Sequence, residues 1–217
     1  MRQFLSVFAV LAVVMVFFAV TEQSIGGDKG GSSGKVMSQD ALAKKIEDYL
    51  SNLDTVEARF VQIGPTGQQV SGKFYMDRPG KLRFQYDAPI NDYIVADGFF
   101  IYFYDSEMGQ QNHAPIDSTL AYFFLRRDVS LHEDVTVTNV VSTEKVAEVT
   151  IVQTKEPESG ALTLVFDMKP KMRLKSWHVQ DAQGMVTTIL LDDIKTDVKL
   201  ASDLFYYRDN AGNVLNP

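Results

Sequence analysis

The sequence predicts a mainly β domain with helices, an α+β fold in which about ten antiparallel strands carry two short helices. Three observations predict it. After Asp54 hydrophobic residues alternate with a period of two, the alternating runs are joined by short turns containing Gly or Pro, and no helical crossover long enough for parallel strands lies between them. A length of 217 residues fits one domain with at most a small appendage.

The first element is an export leader. Apart from Ser6, Phe4 to Val20 is wholly apolar and follows Arg2, the positive-then-apolar order of a signal peptide over residues 1–26. The run falls just short of the ~20 residues that cross a bilayer as a helix, so cleavage and retention as an anchor both fit it. Residues 27–37, rich in Gly and Ser, read as a flexible linker to a domain at 38–217. The Gly34-Lys35 step resembles the end of a phosphate loop, but Lys29 stands where the loop's first glycine belongs and Val36 where its Ser or Thr belongs.

From Ser38, a candidate N-cap, Leu42, Ile46, Tyr49, Leu50 and Leu53 keep to one helical face. The strands follow: Val56 to Val61, Gly72 to Met76, Leu82 to Tyr86, Tyr93 to Val95, Phe99 to Tyr104, Val135 to Val141, Val146 to Gln153, Ala161 to Asp167, Leu174 to Gln180 and Val186 to Ile194. Between the fifth and sixth, Ser118 to Leu125 reads as a short helix capped by Ser118. Its Tyr122-Phe123-Phe124-Leu125 half is apolar on nearly all sides, and so short a helix needs an apolar surface to lie on. Aromatic strand faces ordinarily mean core packing. Two short helices, however, leave more apolar sheet than they can cover, and such a face marks a binding surface.

Several chemistries are excluded. A net charge of −7 with never more than two adjacent basic residues argues against nucleic acid. The absence of cysteine removes disulfides, thiolate metal sites, a thiol nucleophile and a lipid-modified N-terminal cysteine. His113, His132 and His178 are scattered, and His132-Glu133-Asp134 reads as a solvated loop because adjacent residues do not converge on one metal. No Gly-x-Ser-x-Gly turn occurs, and Asp192-Asp193 would point to opposite faces of a strand. No enzyme, cofactor or metal site is expected.

The order Ala58-Arg59-Phe60-Val61-Gln62, Gly72-Lys73-Phe74-Tyr75-Met76-Asp77-Arg78-Pro79, Leu82-Arg83-Phe84-Gln85-Tyr86 with Pro89, and Ile94-Val95-Ala96-Asp97-Gly98 resembles the LolA family of periplasmic lipoprotein carriers. The resemblance is densest over residues 42–126. It implies an incomplete antiparallel β-barrel of about ten or eleven strands, lidded by short helices over an apolar cavity. It also implies a monomeric, non-enzymatic chaperone in the periplasm with acylated lipoproteins as cargo. Its partners would be an inner-membrane ABC-type release complex and an outer-membrane lipoprotein receptor. By the same resemblance Arg78 closes the lid by donating to carbonyls around Phe123, Phe124 and Leu125, and Leu50, Phe60, Phe74, Leu82, Phe84 and Tyr86 bind acyl chains.

Other readings share that fold. A lipid-anchored receptor needs the cysteine this chain lacks, and a lipoprotein sensor carries a second domain for which 217 residues leave no room. A periplasmic lipid-binding module is the remaining alternative.

Overall fold

A computed structural model describes residues 38–208 and Val214; the leader and the linker lie outside the described residues. Helix α1 spans Gln39–Ser51, and the Ser38 hydroxyl caps it by accepting from the Ala41 N–H at 3.3 Å. Its buried stripe of Leu42, Ile46 and Leu50 follows the i, i+4, i+8 spacing.

Eleven strands follow: β1 Thr55–Ile63, β2 Gln69–Asp77, β3 Lys81–Tyr86, β4 Tyr93–Asp97, β5 Phe100–Asp105, β6 Gln110–Pro115, β7 Val135–Ser142, β8 Val146–Gln153, β9 Gly160–Asp167, β10 Arg173–Asp181 and β11 Val186–Thr196. They form one sheet in the order β6-β5-β4-β3-β2-β1-β11-β10-β9-β8-β7, with every neighbouring pair antiparallel. The sheet is the incomplete barrel that the sequence implies. Strands β1 and β11 join its halves at the centre, β6 and β7 are its edges, and the chain bridges those edges through helix α2, Leu120–Leu125.

Alternation sets which side chains meet. Along β1 the buried positions are Val56, Ala58, Phe60 and Gln62, and along β3 they are Leu82, Phe84 and Tyr86. All of these but Gln62 pack with the α1 stripe and with Leu120, Phe123, Phe124 and Leu125 of α2 into the main core. Gly72 is required where β2 passes Phe60: a Cβ there would lie 2.2 Å from the Gln85 carbonyl oxygen and 2.6 Å from the Phe60 ring.

The convex face carries a second cluster. Val95, Phe205 and Tyr207 pack with Tyr75, Tyr93, Tyr102 and Tyr104, so the C-terminal segment covers the outer face of β2–β5. Tyr102 and Tyr207 stack with centroids 4.8 Å apart, and the Arg83 guanidinium lies 4.6 Å from the Tyr93 ring centre while donating to the Leu204 carbonyl.

Two local expectations are corrected, and a bulge is found at the Asp192-Asp193 step. Strand β6 was not foreseen, because Gln-Gln-Asn-His-Ala-Pro is mostly polar; as an edge strand it is exposed at all but one position. Helix α2 begins at Leu120 with Thr119 at the cap position, while Ser118 closes a 3-10 turn and its hydroxyl donates to the Pro115 carbonyl at 2.7 Å. Asp192 and Asp193 are both exposed, because the β1–β11 register shifts opposite Ala58 and Asp193 takes φ 47°. The bulge absorbs one residue, so Ile194 rejoins Leu191 beside the core.

Candidate functional site

Between the concave sheet and α2 lies a cavity of about 120 Å³. Phe74, Leu82, Phe84, Ile94 and Ile101 line it from one half of the sheet, and Leu162, Leu164, Trp177, Val179 and Ile189 from the other. Thr119, Leu120, Ala121 and Phe124 close it from above. No charged side chain is among these residues, and Thr119 and Thr187 are the hydroxyl-bearing exceptions besides Tyr102. A smaller void of about 10 Å³ lies on the α1 side and shares Phe74 and Phe124 with the first.

Aromatic rings build the wall between the two halves. Phe60 meets Phe84 edge-on at 5.1 Å, Phe74 meets Trp177 at 5.7 Å, and Phe84 meets Trp177 at 6.1 Å. Phe124 comes down from α2 onto Trp177 at 5.8 Å. These edge-to-face and tilted contacts fix the rings without polar groups and leave an apolar surface suited to hydrocarbon.

The six side chains expected to bind acyl chains divide into two layers. Phe74, Leu82 and Phe84 line the cavity. Leu50, Phe60 and Tyr86 are buried but do not line it. Leu50 packs in the α1 stripe, Phe60 backs Phe84 and Tyr86, and the Tyr86 hydroxyl donates to Gln62 Oε1 at 2.7 Å. Burial raises the Tyr86 pKa, so that hydroxyl stays neutral and serves as a fixed donor.

The residues assigned to the lid also separate. Phe124 faces the cavity, Leu125 is fully buried, and Phe123 lies under the Arg126 guanidinium at 5.3 Å. Arg78 is buried, but its hydrogen bond differs from the expected one. Nη1 donates to the carbonyl of Leu50 at the end of α1, not to a carbonyl of α2. The Leu125 carbonyl is taken instead by the Gly80 N–H at 2.9 Å. The Leu50 carbonyl also accepts from the Leu53 N–H at 3.1 Å, so Arg78 adds a second, charged donor at the end of α1. The guanidinium still touches α2 through its face, 5.5 Å from the centre of the Phe124 ring. Its Nε and Nη2 are buried without a hydrogen-bond partner among the described residues, and desolvation lowers its pKa to about 10, which leaves it charged at neutral pH.

Gly80 is what lets the Arg78 turn sit so close to its neighbour. It holds φ 81°, and a Cβ would lie 2.7 Å from the Gly98 Cα.

Sequence reasoning missed the second half of the wall. Alternation in β9 and β11 marks Leu162, Leu164 and Ile189, but Trp177 is hidden by a register shift between Leu174 and Ser176. The shift puts Leu174, Trp177 and Val179 together against the core.

Among the described residues no group of three potential metal ligands occurs, and no helix is long and apolar enough to cross a membrane. His178 Nδ1 is 2.7 Å from the Thr188 hydroxyl.

Comparison with known proteins bears on this site. The family described as “Outer membrane lipoprotein carrier protein LolA” matches residues 51–208. An outer-membrane lipoprotein carrier protein of Methylococcus capsulatus is 26% identical over 177 residues, covering 77% of this chain and 84% of that protein. One from Legionella pneumophila is 27% identical over 203 residues, covering 83% and 91% respectively. A protein of Rickettsia prowazekii described only as uncharacterized is 24% identical over 165 residues, covering 76% of each. Among solved structures, a LolA superfamily protein from Nitrosomonas europaea superposes with a TM-score of 0.43 at 11% identity, over 76% of this chain and 97% of that one.

Proposed function

Because the chain belongs to the LolA family of outer-membrane lipoprotein carriers, we propose that it holds the acyl chains of lipoproteins in the cavity beneath α2 and carries them across the periplasm. Donor and acceptor are an inner-membrane ABC-type release complex and an outer-membrane lipoprotein receptor, and the carrier acts as a monomer without cofactor or catalysis.

The observation that carries this reading is a wall free of charged side chains, closed by a six-residue helix. Each buried methylene is worth about 0.8 kcal/mol, so an acyl chain of roughly 14 methylenes gains on the order of 11 kcal/mol on leaving water. A wall of that kind can collect this energy. At about 120 Å³ the cavity is smaller than the ~300–1,000 Å³ of pockets that enclose drug-sized ligands, so α2 closes it too tightly for cargo and loading displaces α2. A helix of six residues has little stability of its own, and its place is set by what it packs on.

The testing experiment is mass spectrometry of whatever co-purifies with the protein from the periplasm. Acylated protein supports the carrier. Free lipid alone would move the reading to a lipid-binding module of the same fold, and an empty protein that also fails to take acylated lipoprotein in vitro would end it.

A further inference from the structure

The two ends of α2 are held very differently. At its C-terminal end the Leu125 carbonyl accepts from the Gly80 N–H at 2.9 Å. The next residue, Arg126, is buried although its chain neighbour Arg127 is exposed. Its Nη2 donates to the Ser130 carbonyl, its Nη1 reaches Asp134 Oδ2 at 3.1 Å and Glu133 Oε2 at 3.8 Å, and its face covers Phe123. The loop beyond is tied to α1 by two bonds, Val129 N–H to Ser51 Oγ at 3.1 Å and Leu131 N–H to Glu47 Oε1 at 2.7 Å.

The N-terminal end has little of this. Thr119 makes no side-chain cap and spends its hydroxyl on the Ile116 carbonyl. Beyond the apolar packing of Ile116 and Leu120, the polar connections of this end to elements other than the adjoining β6 are, among the described residues, the Ile116 N–H to Phe99 carbonyl bond at 2.9 Å and a 3.5 Å contact from Gln153 Nε2 to the Ser118 carbonyl. Yet three of the four residues that close the cavity from above, Thr119, Leu120 and Ala121, are at this end, the fourth being Phe124.

We propose that α2 opens as a flap from its N-terminal end, pivoting at Leu125–Arg126, and that Arg126 is the positioning residue that fixes the pivot. The inference rests on the carrier reading above and adds a direction to it: cargo enters beside Thr119–Ala121, on the β6 side of the lid. Lifting that end breaks apolar contacts that the cargo's own chains replace. Lifting the other end would break a charged network and two bonds to α1 that no hydrocarbon can replace. Arg126 therefore makes lifting the C-terminal end far more costly than lifting the N-terminal one, and α1 stays in place while α2 swings.

The cysteine-free chain allows a direct test with paired spin labels. Ser118, Asp128 and Lys73 are all exposed, Lys73 near the middle of the sheet on β2. The pairs are S118C with K73C and D128C with K73C, each measured empty and loaded with a synthetic lipopeptide carrying palmitoyl chains. A six-residue helix is about 9 Å long, so its free end moves several ångströms for a modest rotation. The 118–73 distance should change by several ångströms on loading and the 128–73 distance should not. Adding Arg126→Gln should broaden the 128–73 distribution in both states. A merely structural role would lower the melting temperature and leave both loaded distances as in the parent, which would overturn the assignment of Arg126. Movement at 128 with 118 fixed, or equal movement at both, overturns the flap. If neither distance changes although lipopeptide is bound, the lid itself is wrong; if no lipopeptide binds, the carrier reading fails with it.

Discussion

Phe124 and Trp177 face each other across the closed cavity, their ring centres 5.8 Å apart and their planes inclined by 38°. Trp177 is the only tryptophan in the chain, so its fluorescence reports the lid contact without engineering. Titration with a palmitoylated lipopeptide should shift its emission and change its quenching by acrylamide, with the midpoint set by cargo affinity. An emission spectrum unaltered at saturating lipopeptide would mean that α2 does not leave Trp177 on loading.

Phe124→Glu and Phe84→Glu should both abolish cargo binding, yet differ in stability. The Phe124 side chain rides on a short helix that can turn its carboxylate toward water. Its folding penalty should therefore stay near 1–2 kcal/mol. Phe84 lies in the sheet between Phe60, Phe74 and Trp177, where an ionised carboxylate has no partner and no exit. There the loss should reach roughly 3–5 kcal/mol. Urea unfolding beside a lipopeptide binding assay separates the two effects, and a Phe124→Glu protein with unchanged binding would remove Phe124 from the site.

A pH dependence follows from a pair on the outer face. Arg59 Nη1 donates to Asp87 Oδ1 at 3.0 Å and Ser71 Oγ to Oδ2 at 2.7 Å, and the guanidinium holds the Asp87 carboxyl down to about 2 from its ordinary 3.8. A depressed carboxyl contributes stability above its unfolded pKa and loses it as pH falls through the folded one. Asp87→Asn should therefore melt below the wild type by no more than a few degrees at neutral pH, since both side chains are substantially exposed. The gap should be constant down to about pH 4 and close toward pH 2. A gap that persisted at pH 2 would show that the charge was not its source.

The elements with simple periods were legible in the sequence. Ser38 and the Leu42, Ile46, Leu50 spacing define α1, and the alternation of Leu82, Phe84 and Tyr86 gives the buried face of β3. Alternation reports a face but not a depth. Leu50, Phe60 and Tyr86 thus lie on the right side and one layer behind the cavity, because packing among rings and helix decides which residue is outermost. Trp177 was not legible because an extra residue near Lys175 resets the period, and such a shift leaves no mark in a single sequence. The acceptor of Arg78 was not legible either. Which helix end brings a carbonyl within reach depends on how α1 and α2 dock, which is tertiary information.

Arg78→Leu should leave the fold intact and slow the release of cargo. The bond to the Leu50 carbonyl of α1 is made in either form, because α1 stays in place, and the closed form adds a stack on Phe124 worth about 0.5–2 kcal/mol. Two buried donors without partners offset part of that gain, so the closed form is favoured by a small margin. When α2 lifts, Phe124 leaves and the cation would face the hydrocarbon of the cargo, a less favourable neighbour than an aromatic face. A leucine there reverses the preference: it loses the stack on Phe124 that favours closure and adds apolar surface to the loaded form. A change of about 1.4 kcal/mol makes release roughly tenfold slower. Lipopeptide dissociation followed through Trp177 measures it, and a variant that released cargo at the wild-type rate would show that Arg78 does no more than cap α1.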